Sequence, residues 1–221
     1  MRSTSPTPPG TVHIEGVLFD HSNPGDSDAI EIAAPQATVQ IENVRAVDLT
    51  GQEQGNHTDV IQVWGGVKEL RVDRLTGSSD YQGLTIDPDL APNGPEIFKN
   101  VNLSSSSTTS GNWLVWLTKS HDTCTAPASV SFNEVYVTPR QGRDLGNSVW
   151  PPDQNANIND APGPIQNCRG ALSGNQQAIK WPGLAQVTGA IKKGPPPGGD
   201  FVPPGLTGLN YTSPGYGPTP Q

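Results

Sequence analysis

Positive charge is the scarcest polar ingredient of this chain: 13 Lys and Arg stand against 21 Asp and Glu, for a net charge of −8. Phosphate backbones are held by clustered cations, and no Lys/Arg cluster occurs, so nucleic acid is excluded as a partner. Long apolar runs are missing too. Nothing approaches the roughly 20 residues that a membrane-crossing helix requires, so the expectation is a soluble chain without membrane insertion. The first ten residues, MRSTSPTPPG, lack the apolar core of a secretory signal, and residues 1–11 are expected to form a flexible leader. Cysteine is limited to Cys124 and Cys168, outside any CxxC, and the four His are scattered. No metal signature or cofactor motif results. The two cysteines either close one disulfide or stand as two small apolar residues, and two are too few to mark a redox compartment. No heptad pattern supports a coiled coil.

Glycine and proline, by contrast, are plentiful and unevenly placed. Leu, Ile, Val and Phe supply 33 of the 126 residues from Val12 to Val137, but 13 of the 84 that follow. Gly and Pro reach 28 of those last 84. That density forbids long helices and continuous strands. The division expected is therefore a folded body over residues 12–139 and an irregular Gly/Pro/aromatic extension over 140–221.

Within the body, one pattern recurs: apolar, any, apolar, any, any, apolar. It runs through Val12, Ile14 and Val17, then Val39, Ile41 and Val44, then Leu70, Val72 and Leu75. Weaker copies carry Phe98 and Val101, and then Val130, Phe132 and Val135. A second series falls between the copies: DAIEI from Asp28, DVIQV from Asp59, QGLTI from Gln82 and NWLVW from Asn112. Apolar residues two apart are the mark of a strand with one buried face. Two interleaved series with intervals of 23 to 34 residues indicate a stacked architecture, since no single repeat can bury its own apolar face. The regular Leu/Asn consensus of leucine-rich repeats is absent, and two strands per repeat are too few for a propeller blade. The fold expected is all-β, a right-handed parallel β-helix with a long irregular C-terminal extension.

In those strand pairs the chain resembles the pectin-lyase-like β-helix superfamily, over a little more than half its length. The stretches HTDVIQVWGGVKELRVDRLTGSSDYQGL and KKGPPPGGDFVPPGLTGLNYTSPGYG are similar to β-helix proteins of actinobacteria and their phages. The superfamily includes lyases, glycoside hydrolases, tailspikes and inert modules, so the likeness implies the fold and not the activity. It also implies, through the tail-associated members, that a homotrimer is an open outcome.

Two classes of function follow. An enzyme acting on polysaccharide would draw its catalytic groups from His57, Asp59 and Asp80, because Asp28 and Asp59 open equivalent strands and would stack roughly 4.8 Å apart. Aspartates repeated at strand starts more often cap turns, however, and the third and fourth copies carry Gln82 and Asn112, which are not acids. A lyase would lean on Lys68, Arg71 and Arg74, but Glu69 and Asp73 beside them make that strand a solvated face with ion pairs. Binding is the other class. Gln62, Trp64, Tyr81, Gln82, Asn112 and Trp113 are candidate glycan contacts, with Trp64 leading into Gly65-Gly66. Trp150, Trp181, Phe201, Tyr211 and Tyr216, set among prolines, would anchor the C-terminal segment, either along its own body or as an arm on a neighbouring subunit. The first coil, starting at Val12 behind Pro-rich residues, would present an open edge to a partner. These features point to a non-catalytic assembly and recognition module of a virion, contacting other virion subunits and host surface glycan, with an extracellular polysaccharide-degrading enzyme as the alternative.

Overall fold

The computed structural model describes residues 10–21, 27–51, 55, 57–86, 93–107, 113–118, 124, 129–156 and 163–214. The chain is all-β. It forms one curled, mixed sheet of twelve strands: β1 (Gly10–Glu15), β2 (Leu18–Asp20), β3 (Ile30–Leu49), β4 (Ile61–Ser79), β5 (Leu84–Thr85), β6 (Pro95–Ser105), β7 (Val115–Trp116), β8 (Ser129–Thr138), β9 (Val149–Trp150), β10 (Ala171–Ser173), β11 (Ala178–Lys180) and β12 (Val187–Lys193). Among the described residues the only helices are short 3-10 turns at Gly163–Cys168 and Gly208–Asn210.

Parallel pairing organises the curl into tiers. β1 lies on β3, β3 on β4, β4 on β6, β6 on β8 and β8 on β12, all parallel. A second column runs from the start of β3 through the start of β4 to β5, β7 and β9. Each return of the chain therefore sets like residues above like. Val44, Leu75, Val101, Val135 and Ile191 fall in one register column, and each is fully buried. Ile41, Val72, Phe98 and Phe132 form the column beside it. These are the apolar places of the repeated pattern, and each fully buried Leu, Ile or Phe contributes about 1.5–3 kcal/mol.

The last "any" position of that pattern has a physical meaning. Gly16, Asn43, Arg74, Asn100 and Glu134 occupy one corner, tier after tier, and all have left-handed backbone, with φ of 69°, 51°, 63°, 52° and 54°. Such a corner turns the chain within one residue, a conformation that glycine and asparagine tolerate best. Arg74 donates from Nε to the Asn43 side-chain oxygen at 2.6 Å. Asn100 donates in turn to Asp73 at 2.8 Å, so the corner is laced along the stack.

The two ends of the stack differ. At the far end β12 pairs antiparallel with β11, and β11 with β10, so a hairpin closes the sheet. Trp181 seals it, 3 % exposed, with its indole N–H donating to the Pro151 carbonyl at 2.8 Å. Cys124 and Cys168 are joined in a disulfide that ties this end to the fifth tier. At the near end, among the described residues, nothing pairs with the outer edges of β1 and β2. Val12 and Leu18 are 40 % and 42 % exposed, although their equivalents one tier in, Val39 and Arg45, are buried or half-buried.

Residues 140–221 are thus not one irregular extension. β9 and β12 complete a sixth tier, and the segment between them carries the closing hairpin. Residues 194–214 then run back across the tiers as a strap. Gly194 donates to the Val137 carbonyl, and Asp200 bridges Arg45 (2.8 Å) and Asn102 (3.0 Å). The Val202 N–H donates to Thr76 Oγ1 at 3.0 Å, and the Gly208 N–H reaches the Gly16 carbonyl at 2.8 Å. Tyr211 donates to Glu15 and accepts from Asn43, which brings the strap to the first tier.

Candidate functional site

The opening Asp of each repeat is placed by the stack itself. Asp28 and Asp59 begin strands that pair in register, and Asp28 Oδ1 accepts the Asp59 backbone N–H at 2.8 Å. Asp59 Oδ1 accepts the Thr85 hydroxyl one tier further on, at 2.5 Å. Its Oδ2 is buried with no hydrogen-bond partner, and the residue is fully buried. Burial, only partly offset by the Thr85 bond and reinforced by the Asp28 charge, pushes the Asp59 carboxyl well above the usual range. Asp28 is raised for the same first reason. Asp80 caps a turn, its Oδ1 accepting the Gly51 N–H at 2.8 Å. His57 is exposed and rests on the Tyr81 ring, with centroids 5.1 Å apart. His57, Asp59 and Asp80 therefore do not converge on a common opening. The hydrogen bonds these aspartates do accept come from backbone and threonine, which is structural work.

The glycan candidates divide by burial. Tyr81 and Gln82 are 4 % and 2 % exposed, and so lie beneath the surface that a sugar would touch. Gln62 and Trp64 are half-buried, and the Trp64 indole nitrogen is itself out of reach of solvent. Gly65 after Trp64 has no room for a side chain, since a Cβ there would overlap Ala33. Trp113 is half-buried in a cluster, 4.5 Å from the Trp150 ring and 5.0 Å from Trp116. Asn112 lies outside the described residues. The alternation expected in NWLVW, with Leu114 and Trp116 on one face, is replaced. Val115 takes the core register against Leu84 and Val149, while Leu114 is also buried. Trp116 stacks in register on Trp150, and the mutual packing of three indoles overrides simple alternation.

The aromatic anchors likewise have distinct places. Trp150 belongs to β9 and is 2 % exposed. Trp181 closes the far end. Phe201 sits on the strap with its ring 6.0 Å from Tyr136, and Tyr211 pins the strap to the first tier. These described anchors pack on their own chain. Tyr216 lies outside the described residues.

The basic strand is a face of ion pairs, as Arg71 holds Glu69 through two bonds of 2.9 and 2.8 Å and Lys99 holds Asp73 at 2.9 Å. One buried acid escaped the sequence reading. Glu96 occupies the core register between Leu70 and Val130 and is fully buried. Its Oε1 accepts the Asn93 amide at 2.5 Å, while Oε2 has no partner. Burial holds its carboxyl well above the ordinary value. The signal was present, because the fourth copy of the repeat has Glu where the pattern calls for an apolar residue. Among the described residues no group of three or more His, Cys, Asp or Glu is arranged to hold a metal ion, and no helix is long and apolar enough to cross a membrane.

Comparison of the chain with protein-family models, with curated proteins and with solved structures finds no match.

Proposed function

We propose that this chain is a non-catalytic assembly and recognition module built on a right-handed parallel β-helix, and that it joins its assembly through the open first tier. The observation that carries this reading is the contrast between the two ends. One end is closed by an antiparallel hairpin and Trp181, while the other leaves Val12 and Leu18 exposed beside strand edges that no described residue pairs. Open edges recruit further strands, and a partner that covers this one gains both backbone hydrogen bonds and apolar contact. Gly208 on the strap packs beside Leu18, and the residue after it, Leu209, is fully exposed. The virion setting, contact with host glycan and trimer formation rest on the resemblance to phage-associated β-helix proteins. The burial of Asp59 and the turn-capping of Asp80 weigh against the polysaccharide-degrading alternative at those residues.

The test is electron cryomicroscopy of the assembly that the full chain enters in its native host, with attention to the outer edge of β1. Density from another polypeptide along Gly10–Glu15 is expected, and Leu18→Glu should abolish incorporation. A chain that stays monomeric and unassociated in that host, with its first tier open to solvent, would overturn the proposal.

A further inference from the structure

A concavity among the described residues lies away from every candidate above. It is lined by the loops on either side of β9 and by the β10–β11 hairpin, and its volume is about 460 Å³, within the range typical of small-ligand sites. We propose that it binds a short, neutral oligosaccharide, which makes it the glycan-recognition site of the module; this rests on the recognition half of the function proposed above.

Its floor is a buried carboxylate. Asp153 is 3 % exposed, and each of its oxygens accepts one backbone N–H, from Leu172 (3.2 Å) and from Asn155 (2.9 Å). A carboxylate has about four acceptor sites, so capacity remains on the cavity side. Asp144 stands beside it because Gly146 lies between them. A Cβ on that glycine would come within 2.5 Å of Asp153 Cβ and 3.4 Å of Asp144 Oδ1, so only glycine lets the two acids approach. Asn147 fixes Asp144, donating to both oxygens at 3.0 and 2.9 Å.

The rim supplies donors. The hairpin tip holds Gly174, Asn175 and Gln176 in succession in the left-handed region, with φ of 57°, 55° and 66°. For the two non-glycine residues this is strained, and it sets both carboxamides at the mouth. The side chains of Asn155, Asn175 and Gln176 spend no donor or acceptor on the described residues.

Ligand class follows from this inventory. No Lys, Arg or His lines the cavity, and two carboxylates repel anions, which excludes phosphate and uronate. Leu172 and Ala156 are its only apolar side chains, too few for a lipid or an aromatic ligand. A bare cation is disfavoured because, among the described residues, no third acid, His or Cys joins the two carboxylates to complete a ligand set. Vicinal hydroxyls of a neutral sugar both donate and accept. They can give hydrogen bonds to Asp144 and Asp153 while receiving them from the three carboxamides.

The experiment is saturation-transfer NMR and calorimetry of the full chain against neutral hexose and pentose oligosaccharides, uronic-acid oligosaccharides and Ca²⁺. Binding of a neutral oligosaccharide is expected, and Asn175→Ala with Gln176→Ala should weaken it about tenfold, two lost hydrogen bonds of ordinary strength. These side chains are exposed at a hairpin tip, so the variant should keep the wild-type circular dichroism, with Tm lowered only slightly by placing Ala in left-handed backbone. Asp144→Asn is a second variant, expected to weaken binding without altering the fold. No neutral-sugar binding at millimolar concentration, binding of Ca²⁺ or uronates alone, or binding that the variants leave unchanged would each overturn the proposal. Leu18→Glu, which tests assembly, should leave sugar affinity as it is, so the two readings fail separately.

Discussion

Asp59→Asn and Glu96→Gln should flatten the pH dependence of folding. Both wild-type acids are fully buried, and each leaves one oxygen without a partner, so burial raises both folded-state pKa values well above those of the unfolded chain. The stabilising contribution of such a group is complete below its unfolded pKa, about 4, and is lost as pH rises through the folded pKa. Across that window the folded state holds one more proton per group than the unfolded state. Stability therefore falls by about 1.4 kcal/mol per pH unit per acid, and by roughly 2.7 for the two together. Glu15 and Glu134 are shifted downward by their hydrogen bonds, chiefly to Tyr211 and Lys192. Their contribution has the opposite sign and is lost only as pH falls through lower values, so it does not mask the trend. Urea unfolding at half-unit steps from pH 4.5 upward measures the slope, and each amide variant should reduce its magnitude by about 1.4 kcal/mol per unit over the interval below the folded acid's ionisation. Both substitutions keep the acceptor that Thr85 or Asn93 uses. Wild-type stability that is flat or rising with pH over this interval, or single variants that leave the slope intact, would refute the reasoning.

Reducing the Cys124–Cys168 bond frees a connection between residues 44 apart. The chain-entropy estimate for that separation is about 4 kcal/mol, to be read as the difference in denaturant unfolding between oxidised and reduced protein. Gly16→Ala should loosen the strap, because a Cβ at φ of 69° would overlap the Tyr211 ring. A cost of roughly 1–2 kcal/mol is expected from the backbone alone, and hydrogen exchange should show residues 208–213 losing protection. Leu75→Ala, in the middle of a fully buried column, should cost about 2–5 kcal/mol in thermal or urea unfolding while leaving the sheet intact by circular dichroism.

What the sequence made legible was the part governed by periodicity. Val44, Leu75, Val101 and Val135 pair in the register that their spacing implied, because burial on one face ties register to pattern. The fourth member of the second series is offset by one residue, with Val115 and not Leu114 against Leu84. Packing among Trp113, Trp116 and Trp150 is a property of three side chains in space, which alternation cannot encode. The sixth tier was hidden because residues 151–186 separate its two strands, so Ile191 joins its column without a repeat interval to betray it. The strap was read as an extension for a related reason. Its anchors are single hydrogen bonds, such as Val202 to Thr76, between residues far apart in the chain. The corner residues were within reach: Gly16, Asn43 and Asn100 are the types that left-handed backbone favours, recurring one place before the last apolar residue of the pattern. The cavity at Asp144 and Asp153 had no such signal, since loops carry no period.

The strap also sets a length. It leaves the sheet at the sixth tier and is fastened at the first by Gly208 and Tyr211, so its contour must match the height of the stack. Each tier adds about 4.8 Å. A chain with an inserted or deleted tier would leave the strap short or slack by that amount, and Tyr211 would no longer meet Glu15. Repeat number, usually free to drift in stacked folds, is here gauged by a ruler at the chain's own C-terminal end.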